Sequence, residues 1–496
     1  MSLRNVTLLR CDPESSNVYS SFSHPGLGLP IIGTVLSRAG YQVRIFVDSI
    51  LPPSREDLAH GELVGFTVNS ACSRESFALA DRLRKEVGCP IVFGGPHVTS
   101  LPGEGLEHGD FVVRKEGERT VLELARALDR GATDFGGILG LSWRDAGGRF
   151  HHNPDRPVEE SFDLVPDQSL IAGYRELNQR WTQHLFPTGM LVSTSRGCPF
   201  RCTFCTIPQV YGNAMRFRSH DAVVADIRQQ IAFSGRRYIY FADDNFTALR
   251  QQAKALLQRL VDERLDIRFS AQVRADVTQD PELMDLLVAA GCYLVFVGFE
   301  SINDATLKAY RKGNQTRAGI ERAIRELHAR GVLVHGMFVL GADEDGPGAA
   351  LQTARWALEQ RLESIQILPL CPLPGTETLS ALEAQGRLYK EWDPAAGREQ
   401  LNYGAGNYVL HRPARMEAAQ LQREILDAHR LFYSRRSLWR SALRIPLDGL
   451  SPFLFRALGR QILRHAEPEI QRHLSWLESA SLAPPRSAAA IRQEVA

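Results

Sequence analysis

The sequence lacks three features that would each point to a particular class of protein. No apolar run approaches the roughly 18 residues of a membrane span, and the opening stretch MSLRNVTLLR has no long apolar core of the kind found in signal peptides. Basic and acidic side chains nearly balance, 58 against 57, for a formal net charge of +1. A balanced composition gives no indication of a polyanionic partner. These absences predict a cytoplasmic protein that does not bind nucleic acid.

Cysteine is also scarce, with 8 residues in a chain of 496. That is too few for a disulfide framework, and in a reducing compartment clustered cysteines more often bind metal or carry out redox chemistry. The chain does have the apolar content of a globular protein, at 44% hydrophobic and 23% charged residues. Its length predicts roughly three domains.

Residues 1–135 alternate short apolar strands with helical stretches. The strands are NVTLLRC, QVRIFVD, LVGFTV, PIVFGG and DFVVRK, and helical patterns cover 29–39, 75–87 and 119–129. This alternation predicts a doubly wound parallel sheet, which binds ligands at the carboxyl ends of its strands. The residues there that we predict to contact a ligand are Asn69, Ser70, Gly94, Gly95, His97, Gly117 and Glu118.

A second alternating series begins after residues 136–185, which are rich in turn-forming residues and predict a hairpin and a linker. Over 186–395 the strands are MLVSTS, RYIYFA, IRFSAQV, CYLVFVGF, VLVHGMFVLG and ESIQILPL. Six β/α units are too few for a closed eight-fold barrel, so they predict a partial, TIM-like barrel with its chemistry at the carboxyl ends of the strands. Residues 396–496 predict a helical C-terminal domain.

The stretch SRGCPFRCTFC, residues 195–205, places Cys198, Cys202 and Cys205 in the loop after the first barrel strand. Iron–sulfur clusters are held by thiolates, normally one for each iron of a 4Fe-4S cube. Three thiolates would leave one iron open to another ligand. A zinc site would need a fourth cysteine or histidine nearby, and the next histidine is His220. The loop therefore predicts a 4Fe-4S cluster.

This spacing, with an aromatic residue before the last cysteine and on the first loop of a partial barrel, resembles the radical S-adenosylmethionine superfamily. The resemblance implies that S-adenosylmethionine lies against the strand ends FADDN, VGFES and MFVLGADE. Met337 stands where the fifth-strand motif of that superfamily often opens with glycine. The cofactor contacts that the resemblance implies are Phe204, Asp243, Asp244, Glu300 and Gly341.

Over roughly residues 1–430 the chain resembles the subgroup that carries an N-terminal cobalamin-binding domain. The stretches GLGLPIIGTVLSRAGYQVRIF and VFGGPHVTSLPGE carry this resemblance. Many cobalamin domains place a DxHxxG motif after the first strand, whereas this chain has CDPESSN there. The resemblance thus implies cobalamin with no protein nitrogen below the cobalt. The missing histidine also fits a domain that no longer binds cobalamin.

The resemblance implies an enzyme that uses the cluster to form a 5′-deoxyadenosyl radical and methylates, or otherwise forms a C–C bond at, an unactivated carbon. An electron donor such as flavodoxin or ferredoxin would be its partner. One alternative is a cyclase or rearrangement enzyme without methyl transfer. Another is a tRNA methylthiotransferase with a second cluster on Cys11, Cys72 and Cys89. Cys89 precedes its strand, however, and is expected at the opposite edge of the sheet from the other two.

Arginine is concentrated near the C-terminus. Residues 431–472 hold eight arginines against three acidic residues, and the arginines recur at helical spacing beside aromatic and aliphatic residues. This pattern predicts amphipathic helices that either pack on the barrel or contact the inner face of a membrane. Membrane contact would place the barrel mouth near a lipid and favour a hydrophobic small molecule or lipid as substrate. The arginines are Arg435, Arg436, Arg440, Arg444, Arg456, Arg460, Arg464 and Arg472.

Overall fold

The N-terminal sheet has seven strands in the order β2-β1-β3-β4-β5-β6-β7. The computed structural model describes residues 3–13, 25–179, 190–393, 398–404, 406–444 and 450–482. The strands are β1 Asn5–Arg10, β2 Gln42–Val47, β3 Leu63–Thr67, β4 Ile91–Gly94, β5 Phe111–Val113, β6 Leu141–Arg144 and β7 Phe150–His152. Strands β1 to β5 are parallel, which confirms the predicted doubly wound sheet. The antiparallel hairpin β6–β7 joins the edge of β5, so the sheet extends to residue 152, beyond the boundary predicted at 135.

Helices cover this sheet, and the middle of β1 is therefore buried, as a parallel strand requires. Each predicted helix of this region is found within two residues of its expected bounds. The helices are Gly28–Arg38, Arg55–Ala59, Ser73–Glu86, Pro96–Ser100, Pro102–His108 and Glu118–Asp129.

The second large sheet is the predicted partial barrel. Its six parallel strands lie in the order β15-β14-β13-β12-β11-β8, and no pairing joins β15 to β8 in the described part of the chain. The strands are β8 Met190–Val192, β11 Tyr238–Phe241, β12 Arg268–Val273, β13 Cys292–Glu300, β14 Leu333–Leu340 and β15 Ser364–Pro369. Two short antiparallel pairs accompany them, β9 Ser195–Arg196 with β10 Arg216–Phe217, and β16 Glu391–Asp393 with β17 Arg398–Gln400.

Side-chain caps fix where the barrel helices begin. Ser219, Asp280 and Thr316 each accept a hydrogen bond from a backbone N–H of the first turn that follows, which satisfies a donor that the helix itself cannot pair. The helices of this region are Tyr174–Gln179, Ile207–Val210, His220–Ser234, Arg250–Glu263, Pro281–Ala289, Asp304–Ala309, Arg317–Ala329, Ala349–Glu359 and Glu377–Ala384.

The C-terminal helices are Ala418–Phe432, Arg435–Leu443 and Ser451–Leu482, and side chains at the end of the first one cover the open edge of the barrel. The Tyr433 hydroxyl donates to the carbonyl of Ile365 at 2.6 Å and accepts from its N–H at 3.0 Å. His429 accepts from the N–H of Ile367 at 3.3 Å. An uncovered edge strand would leave these backbone groups unpaired. No helix in the described ranges combines the length and hydropathy that a membrane crossing needs.

The carboxyl ends of the two parallel sheets face each other. The helix Pro96–Ser100, which follows β4, packs against the helix Ile207–Val210, which follows the cysteine loop. Gly375, in the loop after β15, lies so close to both that an added Cβ would be 2.9 Å from Ser100 Oγ and 3.1 Å from Gln209 Cγ. Because both sets of strand ends meet here, the residues predicted to bind cofactors in the two domains lie around one interface.

Candidate active site

The cysteine loop is closed by a small hairpin. Arg196 and Arg216 are paired across β9 and β10, so residues 197–215 form one loop with fixed ends. Gly197 has a φ of +90°, and an added Cβ would collide with the carbonyl oxygen of Ala214. Only glycine therefore allows the chain to turn at this point, immediately before the first cysteine.

Three partly buried thiols share this loop. The N–H of Cys205 donates to the carbonyl of Cys202 at 3.2 Å. Burial raises the pKa of all three thiols, that of Cys205 to about 12, and each thiol's pKa is raised further by another acidic group nearby. The positive charges of Arg274 and Lys312 act in the opposite direction on the pKa of Cys202, as does that of Arg274 on Cys198. Three thiolates here thus require a further positive charge, which a bound metal cluster supplies.

Three thiols are a donor set that an iron–sulfur cluster can use. No three His, Cys, Asp or Glu side chains of the described residues converge on one point that would hold a metal ion. A 4Fe-4S cube takes each thiolate on a different iron, so its ligands need to lie apart.

Asp243 holds the strand that leads into the loop, and its contact with S-adenosylmethionine stays a prediction. Its carboxylate accepts from the N–H of Thr194 at 3.1 Å and its hydroxyl at 3.0 Å, and from the N–H and hydroxyl of Ser195 at 2.5 Å each. The side chain is fully buried. Burial raises the pKa of Asp243, and these four donors oppose the rise. Asp243 therefore positions the cysteine loop from within the barrel.

Asp244 has different surroundings, although it is the next residue. It is reached by solvent, yet enough protein surrounds it that desolvation, with the charge of Asp243, raises its pKa to about 7. A carboxyl group that solvent reaches but that protein largely surrounds lines a recess. Its charge raises the pKa of Cys198 and Cys205, so this recess adjoins the thiols.

Glu300, at the end of β13, is paired with a lysine that the sequence analysis did not identify. Lys312 Nζ donates to Glu300 Oε1 at 2.5 Å and to the carbonyl of Gly298 at 3.1 Å, and both charged side chains are largely buried. The strand is irregular between Gly298 and Glu300, and Glu300 has a φ of +63°. A non-glycine residue in this conformation is strained, and such strain is concentrated at functional sites.

Arg274 lies against the cysteine loop, and several polar side-chain atoms of this region have no hydrogen-bond partner among the described residues. The Arg274 guanidinium lies 3.9 Å from the ring centroid of Phe200, inside the cysteine loop, and donates to Asn314 Oδ1 at 2.8 Å. Among the described residues, both amide atoms of Gln315 and the Oδ1 of Asn245 are buried without a hydrogen-bond partner. Burying a polar group without a hydrogen-bond partner destabilises the folded protein. These unpaired amide atoms therefore fit a ligand rich in hydrogen-bond donors and acceptors.

Gly341 and Phe204 are predicted contacts that the structure gives local partners. Gly341 has a φ of +110°, and its carbonyl accepts from His411 Nε2 at 2.8 Å while its N–H donates to Asp345 at 2.9 Å. The Phe204 ring meets that of Tyr310 edge to face, with centroids 5.0 Å apart. Both positions hold the rim of the barrel in shape, and contact with S-adenosylmethionine stays a prediction for both.

The predicted cobalamin contacts after β3 and β4 form a tight edge. His97 is buried, with Nδ1 3.0 Å from Ser70 Oγ and Nε2 3.3 Å from Glu104 Oε2. Asn69 accepts from the N–H of Cys72 at 3.2 Å and caps the short helical turn there. Ser70 thus engages Nδ1, whereas Nε2 is buried close to Glu104 without a hydrogen-bond partner among the described residues.

Glycines keep part of this edge open. Gly95 has a φ of +108°, and an added Cβ would lie 2.6 Å from the carbonyl oxygen of Val68. At Gly94 the nearest atom to an added Cβ is the carbonyl oxygen of Val113, at 3.8 Å. The backbone at Gly94 can therefore be approached closely by a large ligand such as cobalamin.

Among the predicted cobalamin contacts after β5, Glu118 binds an arginine at the start of the cysteine loop. Glu118 accepts from Arg196, and Glu116 accepts from both Arg196 and Arg216. At Gly117 an added Cβ would lie 2.9 Å from Val113 Cγ1. Sequence patterns could not pair these groups, because the partners are about 80 residues or more apart in the chain.

The N-terminal cysteines do not form a second three-thiol site. Cys11 and Cys72 are buried after β1 and β3, and burial raises the pKa of Cys11 to about 12, with Cys72 adding to the rise. Cys89 precedes β4 and so lies at the amino edge of the sheet, as expected from the sequence. This arrangement does not favour the methylthiotransferase alternative.

Comparisons with known proteins agree with this geometry. The family model described as the Radical SAM superfamily matches residues 192–352, and that of the B12 binding domain matches residues 18–125. An uncharacterized methyltransferase of Pyrococcus horikoshii is 30% identical over 321 residues, which span 64% of this chain and 68% of the relative. A bacteriochlorophyllide d C-12(1)-methyltransferase of Chlorobaculum tepidum is 25% identical over 395 residues, 79% of each chain.

Among solved structures, the fold is similar to that of TsrM, a radical S-adenosylmethionine methyltransferase from Kitasatospora setae with cobalamin and a 4Fe-4S cluster bound. The TM-score is 0.69 at 20% identity, over 95% of this chain and 100% of that chain. The fold and site define a radical S-adenosylmethionine enzyme with a cobalamin domain. The chain belongs to the radical S-adenosylmethionine superfamily and carries a B12-binding domain. This confirms the superfamily, the enzyme class and the three cofactors that the sequence predicts.

Proposed function

We propose that the protein methylates an unactivated carbon of a hydrophobic small molecule or lipid, with S-adenosylmethionine, a 4Fe-4S cluster and cobalamin as cofactors. The observation that carries this proposal is the meeting of two carboxyl edges, where Ser100 of the B12-binding domain lies against Gln209 and Gly375 of the barrel rim. A substrate at this interface would be within reach of both cofactor sites. An electron carrier such as flavodoxin or ferredoxin would reduce the enzyme.

The similarity to methyltransferases supports methyl transfer as the reaction. Relatives from two organisms carry that activity in their names, and one of them acts on a bacteriochlorophyllide, a large and mostly apolar ring system. The same similarity supports a hydrophobic substrate class here.

Bound together, the three cofactors supply one-electron chemistry at carbon and a transferable methyl group. The chain's own residues hold these groups and keep water away. Cys198, Cys202 and Cys205 would bind the cluster. S-adenosylmethionine would be held at the ends of β11 and β13 by Glu300 with Lys312. The unpaired side-chain amide atoms of Asn245 and Gln315 would also bind it. Asp243 fixes the loop that connects the two sites.

The interface between the domains contains the buried aromatic side chain of Tyr403. Tyr403 is buried, and its ring lies 6.1 Å from that of His97. Desolvation raises the pKa of Tyr403 strongly, with the nearby Cys371 and Glu104 adding to the rise, so its hydroxyl stays protonated at neutral pH. A buried aromatic side chain at this interface would help to keep water from reactive intermediates.

The proposal is tested by product analysis with the anaerobically reconstituted enzyme. Reductant and S-adenosylmethionine are added with either a lipid extract or an aqueous extract of cells, and 5′-deoxyadenosine and S-adenosylhomocysteine are both quantified. We expect both products, and more of each with the lipid extract. A Cys198→Ala variant is the control for cluster-independent turnover.

Other outcomes would redirect the assignment. Deoxyadenosine without S-adenosylhomocysteine would replace methyl transfer by cyclisation or rearrangement. Turnover with the aqueous extract alone would overturn the hydrophobic substrate class.

A further inference from the structure

The helix Arg435–Leu443 exposes the two most accessible large apolar side chains of the described chain. Trp439 is 69% exposed and Leu443 is 79% exposed. Leu450, the next described residue after Arg444, is 51% exposed. Single exposed apolar residues are ordinary on protein surfaces, but a cluster of this kind marks a binding surface.

Arginines flank these apolar side chains on the same face of the helix. Arg435, Arg436 and Arg440 are exposed, and the helix RRSLWRSAL contains no acidic residue. At 100° per residue, these arginines and the two apolar side chains occupy one continuous arc of about 140°. Within the described ranges none of the three arginines has an acidic partner, whereas Arg430 nearby pairs with Asp427 and Glu467.

The opposite face of the helix is fixed to the barrel. Ser437 is buried and accepts from Arg456 at 2.5 Å, and Arg456 also donates to the carbonyl of Leu362 at 3.0 Å. Arg460 donates to the carbonyl of Tyr433 at 3.0 Å. Arg456 and Arg460 therefore have structural roles, whereas Arg435, Arg436 and Arg440 are exposed beside the apolar side chains.

We propose that the exposed face of this helix docks on an anionic membrane surface. Tryptophan and leucine enter the boundary between headgroups and acyl chains, while arginines bind the anionic headgroups. Charge complementarity selects this partner, because three arginines without an acidic partner in the described part of the chain surround two exposed apolar side chains and match an anionic surface with an apolar interior. The inference rests on the surface alone and does not depend on the proposed reaction.

Docking through this helix leaves the active site on the far side of the barrel. Leu362 precedes β15, so Ser437 and its helix lie at the amino ends of the barrel strands. The cysteine loop lies at the carboxyl ends. The expectation that the barrel mouth would lie at the lipid surface is thus not met, and a membrane-derived substrate would have to leave the bilayer to reach the site.

Vesicle flotation of the full chain tests the proposal. Wild type is expected to float with phosphatidylglycerol-containing vesicles at low salt and to remain at the bottom with phosphatidylcholine alone. A variant with Arg435, Arg436 and Arg440 changed to glutamine should lose about a hundredfold in partitioning. Its matched control changes Arg322, Arg325 and Arg355, which are exposed arginines elsewhere, to glutamine and should float like wild type.

A second pair of variants tests the apolar contribution. Trp439→Ser with Leu443→Ser should abolish flotation, while Leu249→Ser with Val288→Ser, which changes exposed apolar residues elsewhere, should not. Circular dichroism of each variant checks that it is folded. Wild type that stays at the bottom with both vesicle types overturns the proposal, as does equal flotation of the arginine variant and its control. If wild type does not float but is a dimer that the Trp439 variant dissociates, the face joins two copies of the chain instead.

Discussion

Arg196, the residue that leads into the cysteine loop, is held by Glu116 of the B12-binding domain at 2.6 Å. The same carboxylate also accepts from Arg216, at the other end of the loop. These side chains are between 9% and 13% exposed, so the ion pairs are shielded from solvent. Both ends of the cluster-binding loop are therefore fixed by the neighbouring domain.

Replacing Glu116 should loosen the cluster. In Glu116→Gln the largely buried Arg216 loses its carboxylate partner and Arg196 keeps only Glu118, which costs about 3 kcal/mol. We expect faster loss of iron to a chelator from the reconstituted protein. Glu123→Gln, which removes a partner of Arg119 and Arg156 in the same domain, is the control. Equal rates of iron loss in the two variants would contradict a positioning role for Glu116.

The three loop thiols should be individually essential. Alanine at Cys198, Cys202 or Cys205 should abolish cleavage of S-adenosylmethionine and most iron–sulfur absorbance, because each thiolate holds a different iron. Cys89→Ala and Cys292→Ala should leave both signals largely intact. Comparable damage from Cys89→Ala would revive the methylthiotransferase alternative.

Cobalt in the bound cofactor should lack a nitrogen ligand from the protein. The stretch CDPESSN after β1 contains no histidine, so we expect no nitrogen superhyperfine splitting in the electron spin resonance spectrum of the Co(II) form. His97→Ala should leave that spectrum unchanged. Splitting that disappears in His97→Ala would instead identify His97 as the ligand.

Acid should weaken the barrel through His335. This histidine is buried beside Ser364, 2.7 Å from Nδ1 to Oγ, and burial lowers its pKa from 6.5 to about 3. Between these values the unfolded chain binds more protons than the folded chain, so the free energy of unfolding falls as the pH drops below 6.5. The loss from this group should reach about 2 kcal/mol at pH 5.

Urea unfolding at pH 8 and pH 5 measures this effect. His335→Gln should show a smaller difference between the two pH values than wild type, and the exposed His465→Gln should behave like wild type. If His335→Gln retains the full wild-type difference, another group is responsible.

The strands of the barrel were predictable because each is an apolar run bounded by turn residues. CYLVFVGF predicts a buried strand, and the resemblance to the radical S-adenosylmethionine superfamily places the next residue, Glu300, at the rim. Lys312 was not identified, because its contact with Glu300 depends on how the intervening helix Asp304–Ala309 folds back over the strand end. The two-residue period of a strand and the 3.6-residue period of a helix each identify a single element. They do not indicate where the chain folds back to contact an earlier element.

Arginine roles were harder still to predict. Arg456 and Arg436 fall in the same basic pattern, yet Arg456 is buried against Leu362 and Arg436 is exposed. Helical spacing shows which residues share a face but not which face meets the barrel. Similarly, the strand-end position of Glu118 predicts a ligand contact but does not indicate its pairing with Arg196 of another domain.

The cover that Tyr433 and His429 provide for β15 limits where the chain can be divided. A fragment that ended at residue 395 would leave the amides of Ile365 and Ile367 without these partners, on a flat strand open to pairing with another molecule. The radical S-adenosylmethionine module of this protein is thus not separable from the helices that follow it. Transplanting the barrel onto another scaffold would require that scaffold to bring its own edge-covering helix.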